Sequence, residues 1–285
     1  MAAPGEFELI RRFFERPAAA GRARLGIGDD CALLDVPGGE SLAVSTDMLV
    51  EGRHFFPDVD PEALGHKALA VNLSDLAAMG ARPLGFTLAL ALPAADEAWL
   101  EAFSRGLFAL ADAQGCELVG GDTTRGPLAL CVTVHGTVPP ALALRRDGAR
   151  AGDDLWVSGA LGAAALAVER RLRGEPVPAG ALARLDRPEP RVALGLGLRG
   201  LARAAIDLSD GLAGDLGHVL ARSSAAAGVP LGAALERDAL PVATICSASP
   251  PTATASARWL SAGPAPASRS PPPACSPISS PPLGS

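Results

Sequence analysis

The chain has 285 residues, 48% of them hydrophobic, with a formal net charge of −6. That length allows two domains with substantial cores, although one large domain is possible. The negative balance argues against a general nucleic-acid binder, which carries a basic face.

Residues 5–16 read as a short amphipathic helix, stopped near Pro17 and too charged to be a signal-peptide core. Leu25 to Leu34 follows as a glycine-rich turn carrying Asp29 and Asp30 between apolar flanks. The next stretch organises the rest. Leu42-Ala43-Val44 reads as a short apolar strand that ends in Ser45, Thr46 and Asp47, with Arg53 and His54 close behind. Hydroxyls and a carboxylate at a strand end are hard oxygens, the donors that Mg²⁺ prefers. Taken alone, Thr-Asp after a strand is more often a turn cap; the recurrence of the device further along tips the balance.

Pro61 and Glu62 open a helix running to about Met79. Its positions Leu64, Ala68, Val71, Asp75 and Ala78 fall on one stripe at helical spacing. Asp75 therefore sits on the apolar side, where an unpaired charge is costly, and it needs a partner such as a metal or an arginine. Pro83 to Leu92 reads as a strand, and about 95–114 as a helix with Trp99, Phe103, Leu107 and Leu110 inward. A strand from Glu117 then runs into Gly120-Gly121-Asp122-Thr123, where glycines would let backbone N–H groups approach a phosphate. Leu128 to Val138 completes the sheet with period-two alternation.

Pro139-Pro140 and the polar run 145–154 read as a domain junction, with Arg145 or Arg146 placed to clamp a phosphate or simply solvated. Leu155 opens a second α/β unit, with helices at 160–173 and about 190–203. Ala204-Ala-Ile-Asp-Leu-Ser-Asp-Gly211 repeats the strand-end acid pattern through Asp207, Ser209 and Asp210, ahead of a helix whose amino terminus is a ready phosphate site. From about Thr244 the composition becomes almost entirely Ser, Pro, Ala and Thr, without helix or strand period. It reads as a natural disordered tail or as a shifted frame of GC-rich coding DNA. The abrupt onset favours the second.

Several chemistries are missing. Lys67, the one lysine, has no glycine loop before it, so this is not a P-loop enzyme. No nucleophile elbow or zinc spacing is present, and the five scattered cysteines fit reduced thiols in a cytosol. No apolar run approaches the roughly 20 residues of a membrane span, so a soluble, cytoplasmic protein is expected. What remains is a set of carboxylates with few bases, and metal-mediated phosphoryl transfer explains that set best.

The stretches Gly26-Ile-Gly-Asp-Asp-Cys-Ala, Ser45-Thr-Asp-Met-Leu-Val-Glu-Gly-Arg-His-Phe, Asn72-Leu-Ser-Asp-Leu-Ala-Ala-Met-Gly-Ala-Arg-Pro, Gly120-Gly-Asp-Thr and Ile206-Asp-Leu-Ser-Asp-Gly-Leu closely resemble those of the thiamine-monophosphate kinase family. That family belongs to the aminoimidazole ribonucleotide synthetase superfamily. The resemblance covers residues 5 to about 243 in order. It implies a mixed α/β fold of two domains, here 1–140 for ATP, Mg²⁺ and dimerisation and 150–243 as an incomplete second domain, followed by the 244–285 tail. It implies ATP-dependent phosphorylation of thiamine monophosphate to thiamine diphosphate by direct transfer, in a homodimer joined through the amino-terminal domain.

By matching motif positions, the resemblance assigns Mg²⁺ to Asp30, Ser45, Thr46, Asp47, Asp75, Asp122, Asp207 and Asp210, with Asp210 also catalytic. Gly121, Asp122, Arg146 and Ser209 would contact ATP, and His54 the thiamine phosphate. The family continues with a Gly-Gly-Asp-Asp-Tyr-Glu-Leu-like strand and a late aromatic, which nothing in 244–285 matches; the chain has no tyrosine. Two alternatives stand beside this reading. One is another enzyme of the superfamily, such as a selenophosphate synthetase; the other is an inactive, truncated ATP-binding remnant.

Overall fold

The computed structural model describes residues 6–16, 23–28, 30–235 and 257–261. The amino-terminal half is built on β3 (Ser41–Val50), β4 (Arg82–Leu92), β5 (Glu117–Arg125) and β6 (Ala129–Val138), joined by α2 (Pro61–Ala78) and α3 (Glu97–Gln114). A short helix α1 (Glu6–Phe13) and a hairpin of β1 (Ala23–Leu25) with β2 (Leu33–Leu34) precede them. The four strands lie in the order β3-β6-β4-β5; only the β4–β5 pair, connected through α3, is parallel.

Alternation along the strands sends Phe86, Leu88 and Leu90 of β4 and Leu130, Val132 and Val134 of β6 to one face. There they meet Leu64, Leu69, Leu73 and Leu76 of α2 and Phe103 and Leu107 of α3, which together form the main core. Asp60 caps α2 by accepting from Ala63 N at 3.2 Å, and Asp96 caps α3 by accepting from Ala98 N and Trp99 N.

The two helices approach each other unusually closely. A Cβ at Gly65 would lie 2.0 Å from the Phe103 carbonyl oxygen, and one at Gly106 would lie 1.8 Å from that of Glu62. Only glycines permit this contact; together with the sheet and α6 it leaves most of α2 buried.

The second half carries β7 (Asp154–Leu155), α4 (Ala163–Leu172), α5 (Ala179–Asp186), α6 (Val192–Gly197), α7 (Leu212–Ala227), β8 (Leu231–Ala233) and β9 (Ala257–Ser261). Its own smaller core is Ala149, Leu216 and Val219, with Leu155, Ala204, Ile206 and Leu220 around them. The two halves are fastened at α2. A Cβ at Gly195 of α6 would lie 2.1 Å from the Ala77 carbonyl oxygen, and Val192 joins the main core. Arg199 donates to Gly80 O at 2.6 Å and to Thr137 O at 3.3 Å, and His66 Nε2 lies 2.8 Å from Pro188 O.

Several expected elements differ. β3 does not stop at Val44; it runs to Val50, because all ten of its residues pair with β6 from Ser41↔Val138 to Val50↔Ala129. Ser45, Thr46 and Asp47 therefore lie mid-strand. Likewise β5 continues through Gly120 and Gly121 to Arg125, paired with β4. Residues 204–206 form no strand; their recorded backbone tie to the linker is Ala205 N to Arg145 O at 3.0 Å. The helix expected over 190–203 covers only Val192–Gly197, where Gly195, Gly197 and Gly200 weaken propagation. Helix α5 lies in a stretch where none was expected.

Within the 244–285 stretch, residues Ala257–Ser261 form β9, between β7 and β8 in a three-stranded sheet. This lies in the tail's proline-free interval between Pro251 and Pro264, where every backbone N–H can join a ladder. The rest of 244–285, and Asp29, lie outside the described residues.

The α2–α3 contact generates a direct test. Gly106→Ala forces a methyl group into the Glu62 backbone and is expected to cost about 1–3 kcal/mol, as overpacking typically does. Urea or thermal unfolding measures this, and an unchanged midpoint would contradict the close approach.

Candidate active site

Three elements converge at one end of α2. From β3 come Ser45 and Asp47, on the face turned to the helix; from α2 come Ser74 and Asp75; from the irregular segment before α7 comes Asp207. The Ser45 hydroxyl donates to Asp75 Oδ2 at 2.5 Å, and Ser74 lies on the side of Asp207, where its hydroxyl favours the charged carboxylate. Asn72, 1% exposed, ties strand to helix: its Oδ1 accepts from Asp47 N at 3.0 Å while its Nδ2 donates to Ala68 O at 3.0 Å.

Arg146 reaches the same place from the linker. Ser223 of α7, fully buried, donates to Arg146 O at 2.9 Å and accepts from Ala149 N at 3.1 Å, while Leu144 N bonds Met79 O at 3.1 Å. Ala43, Ser45, Asp75, Met79, Arg146 and Ala205 line a cleft of about 180 Å³. Whole-ligand pockets usually run to roughly 300–1,000 Å³, so this cleft is smaller than a whole-ligand pocket.

The electrostatics are strained in one direction. Burial pushes the Asp75 carboxyl above its ordinary value; the Ser45 hydroxyl lowers it, Asp47 raises it further and Arg146 opposes that. Burial likewise raises Asp207, with Asp75 adding to the rise and Ser74 and Arg146 opposing it. Burial raises Asp47 as well, with Asp207 reinforcing and His54 opposing. Three carboxylates thus repel one another around one arginine. As the side chains stand, no group of three or more His, Cys, Asp or Glu among the described residues is placed to hold a metal. The donor chemistry nonetheless fits Mg²⁺: hard oxygens, mutually repelling and short of positive charge, whose repulsion a divalent cation would relieve.

The remaining candidates are placed as follows. Thr46 lies on the opposite face of β3 from Ser45, its Oγ1 2.9 Å from that of Thr133. Asp30 is exposed in the bend before β2. Asp122 is exposed in β5, and Asp210 is exposed before α7; neither charge is among those that shift Asp47, Asp75 or Asp207. Gly121, at φ 151°, makes its close approach to the β4 backbone, where a Cβ would lie 1.9 Å from Leu88 O. His54 is exposed in the loop after β3, its Nδ1 accepting from Val50 N at 3.0 Å.

At α7 the expected phosphate site is already filled. The backbone N–H groups of Ser209, Asp210 and Gly211 all donate to Asp215 Oδ2, at 3.0, 3.3 and 3.2 Å.

Asn72, Ser74, Asp215 and Lys67 are functional candidates that the motifs alone do not single out. Asn72 and Lys67 each break an apolar run on α2, which is a readable signal of a buried polar task. Lys67, only 8% exposed, donates to His54 O at 3.1 Å. Burial lowers its ammonium below the ordinary 10.5, and the charge of Asp186 on α5 opposes the shift. The His54 loop is also gripped by Arg171 of α4, which lies 4.2 Å from the Phe56 ring centroid and pairs with Asp58.

Residues 28–138 match the family model described as AIR synthase related protein, N-terminal domain. The chain is 52% identical over 242 residues to the thiamine-monophosphate kinase of Salmonella typhimurium, covering 83% of this chain and 74% of that one. It superposes on the thiamine-monophosphate kinase of Stenotrophomonas maltophilia K279a with a TM-score of 0.74 at 49% identity, covering 83% of this chain and 75% of that one. A structure of AaThiL complexed with AMPPCP and TMP matches with a TM-score of 0.67 at 29% identity, over 84% of this chain and 74% of that one. The fold is therefore that of the AIR synthase related proteins. Within that class, the chain belongs to the thiamine-monophosphate kinase family.

The raised carboxylates carry a pH signature. A folded carboxyl with a raised pKa holds its proton where the unfolded chain, near the ordinary 3.8, has lost it. Its contribution is complete below that value and is lost as pH rises through the folded pKa. In metal-free buffer Asp75→Asn is therefore expected to melt higher than the parent at pH 7, with the advantage shrinking towards pH 4. Thermal melts across that range check it; a pH-independent difference would count against the buried repulsion.

Proposed function

We propose that the chain transfers the γ-phosphoryl group of ATP to thiamine monophosphate, giving thiamine diphosphate, with Mg²⁺ as cofactor. The observation that carries the reading is the convergence of Asp47, Asp75 and Asp207 beside Arg146, in a chain half identical to a kinase of that name. The AaThiL complex, with an ATP analogue and TMP in one related fold, supports the two substrates.

Asp47, Asp75 and Asp207, with Ser45, would hold the metal, which when bound neutralises charge on the phosphate oxygens. Asp30, Thr46, Asp122 and Asp210 are proposed as further ligands, and Asp210 as the catalytic residue. Arg146 would orient the phosphate chain of ATP with Gly121, Asp122 and Ser209, and His54 would meet the thiamine phosphate. The protein's contribution is then alignment of donor and acceptor, with no covalent intermediate on the enzyme.

We further propose that residues 1–140 and 150–243 act as two domains and that the chain works as a cytoplasmic homodimer. No helix among the described residues is long and apolar enough to cross a membrane. Supporting the dimer, the face of β3 turned away from α2 exposes Leu42 (47%), Val44 (55%) and Met48 (58%), more apolar surface than an edge strand usually leaves open. Residues 244–285 would stand in place of the family's later strand and aromatic, leaving turnover weaker than in relatives that carry them.

Incubation with Mg²⁺, ATP and thiamine monophosphate is expected to yield thiamine diphosphate and ADP. Asp47→Asn should weaken Mg²⁺-dependent ATP binding by about tenfold or more, roughly 1.4 kcal/mol per decade. ATP binding without any turnover would favour the remnant reading; unchanged affinity in a folded Asp47→Asn variant would remove Asp47 from the metal site. Sedimentation of Val44→Glu tests the dimer: the parent should sediment as two copies and the variant as one.

A further inference from the structure

The geometry points to Asp215 as a positioning residue for the Asp207–Asp210 segment, and this inference rests on the kinase reading above. Asp215 is 3% exposed and lies in the first turn of α7. Gly211 precedes that helix with φ 107° and offers no side-chain cap. In place of a cap, one carboxylate oxygen collects the N–H groups of three successive residues, Ser209, Asp210 and Gly211, at 3.0–3.3 Å. Successive backbone N–H groups turned to one point form an anion-binding nest, and the helix dipole adds to its preference for negative charge. Here the anion is the chain's own.

Two consequences follow. The nest cannot take a phosphate, so ATP gains nothing from these three donors. The turn is also locked, with the Ser209 and Asp210 side chains exposed and Asp207 close enough to Asp75 for the two charges to repel. A segment that would otherwise bind anions directly is thereby made to present carboxylates, and its attraction for ATP must run through a cation. Asp215 makes no contact with the cleft itself; it acts through the backbone of its neighbours.

The test compares the parent with Asp215→Ala and Asp215→Asn, each checked for folding by circular dichroism. ATP affinity is measured by calorimetry with and without Mg²⁺, and amide exchange at 209–211 by NMR. The parent should bind ATP with a strong Mg²⁺ dependence and show slow exchange at those amides. Asp215→Ala should lower the ratio of Mg²⁺-present to Mg²⁺-free affinity about tenfold and speed the exchange, since charge-assisted hydrogen bonds are lost and the nest is freed for phosphate. Asp215→Asn keeps the size and one acceptor oxygen, so it should fold and fall between the two, carrying the test if the alanine variant does not fold. Folded variants with the parent's Mg²⁺ dependence, or unchanged exchange at 209–211, overturn the inference alone. A parent with no Mg²⁺-dependent ATP affinity overturns the kinase reading and this inference with it.

Discussion

The arrangement depends on how tightly α2 is held. Gly65 and Gly106 let α2 and α3 approach backbone to backbone, and Gly195 lets α6 do the same on another side near Ala77. A helix gripped by a sheet and two helices cannot shift by a fraction of an ångström without a clash, because packed interiors offer no slack. Asn72, Ser74 and Asp75 lie on this immobilised helix, and the hydrogen bond from Asp47 N to Asn72 sets the β3 backbone relative to it. The α6 contact also fixes how the second half meets the first, which is what brings Asp207 to Asp75.

The electrostatic character of the site follows from that rigidity. Carboxylates free to move would relax apart into solvent; these are half-buried and keep their mutual repulsion, with one arginine to offset it. The stored repulsion is a reason for a divalent cation to bind, since binding removes an unfavourable term as well as adding a favourable one. The hydroxyls of Ser45 and Ser74 stabilise the charged forms without neutralising them. The site is thus crowded with carboxyls that burial and repulsion bias towards protonation, and a bound cation would reverse that bias.

Much of this was legible in the sequence, for identifiable reasons. The stripe through Leu64, Ala68 and Val71 places Asp75 on the packed side of α2, and the structure gives it a hydroxyl partner in Ser45, with the charge of Arg146 near enough to favour its ionised form. The long apolar strands and the capped helices α2 and α3 were readable because period, caps and length agree. The ends of β3 and β5 were not, because polar residues inside a strand look like a strand terminus until the partner strand is known. Ser45 and Asp47 stay in the ladder since β6 continues opposite them. The segment 204–206 fails in the opposite way: its apolar pattern suits a strand, but a single recorded backbone bond to Arg145 cannot make one. Helix α5 lacks a side-chain cap and carries only eight residues, so nothing local announced it.

Asp215 and Asp75 show how the same residue type is given opposite tasks by its surroundings. Both are aspartates on helices with restricted access to water. Asp215 meets three backbone donors at a helix amino terminus, all on one carboxylate oxygen, which satisfy its charge locally. Asp75 meets one hydroxyl and two like charges, which the more distant charge of Arg146 only partly offsets. Residue identity alone does not separate the two. Position along the helix does: a carboxylate in the first turn is drawn inward by unpaired N–H groups, whereas one in the last turn faces unpaired carbonyls and must look elsewhere. Asp75, three residues from the end of α2, is in that second position, where the helix dipole itself favours a cation.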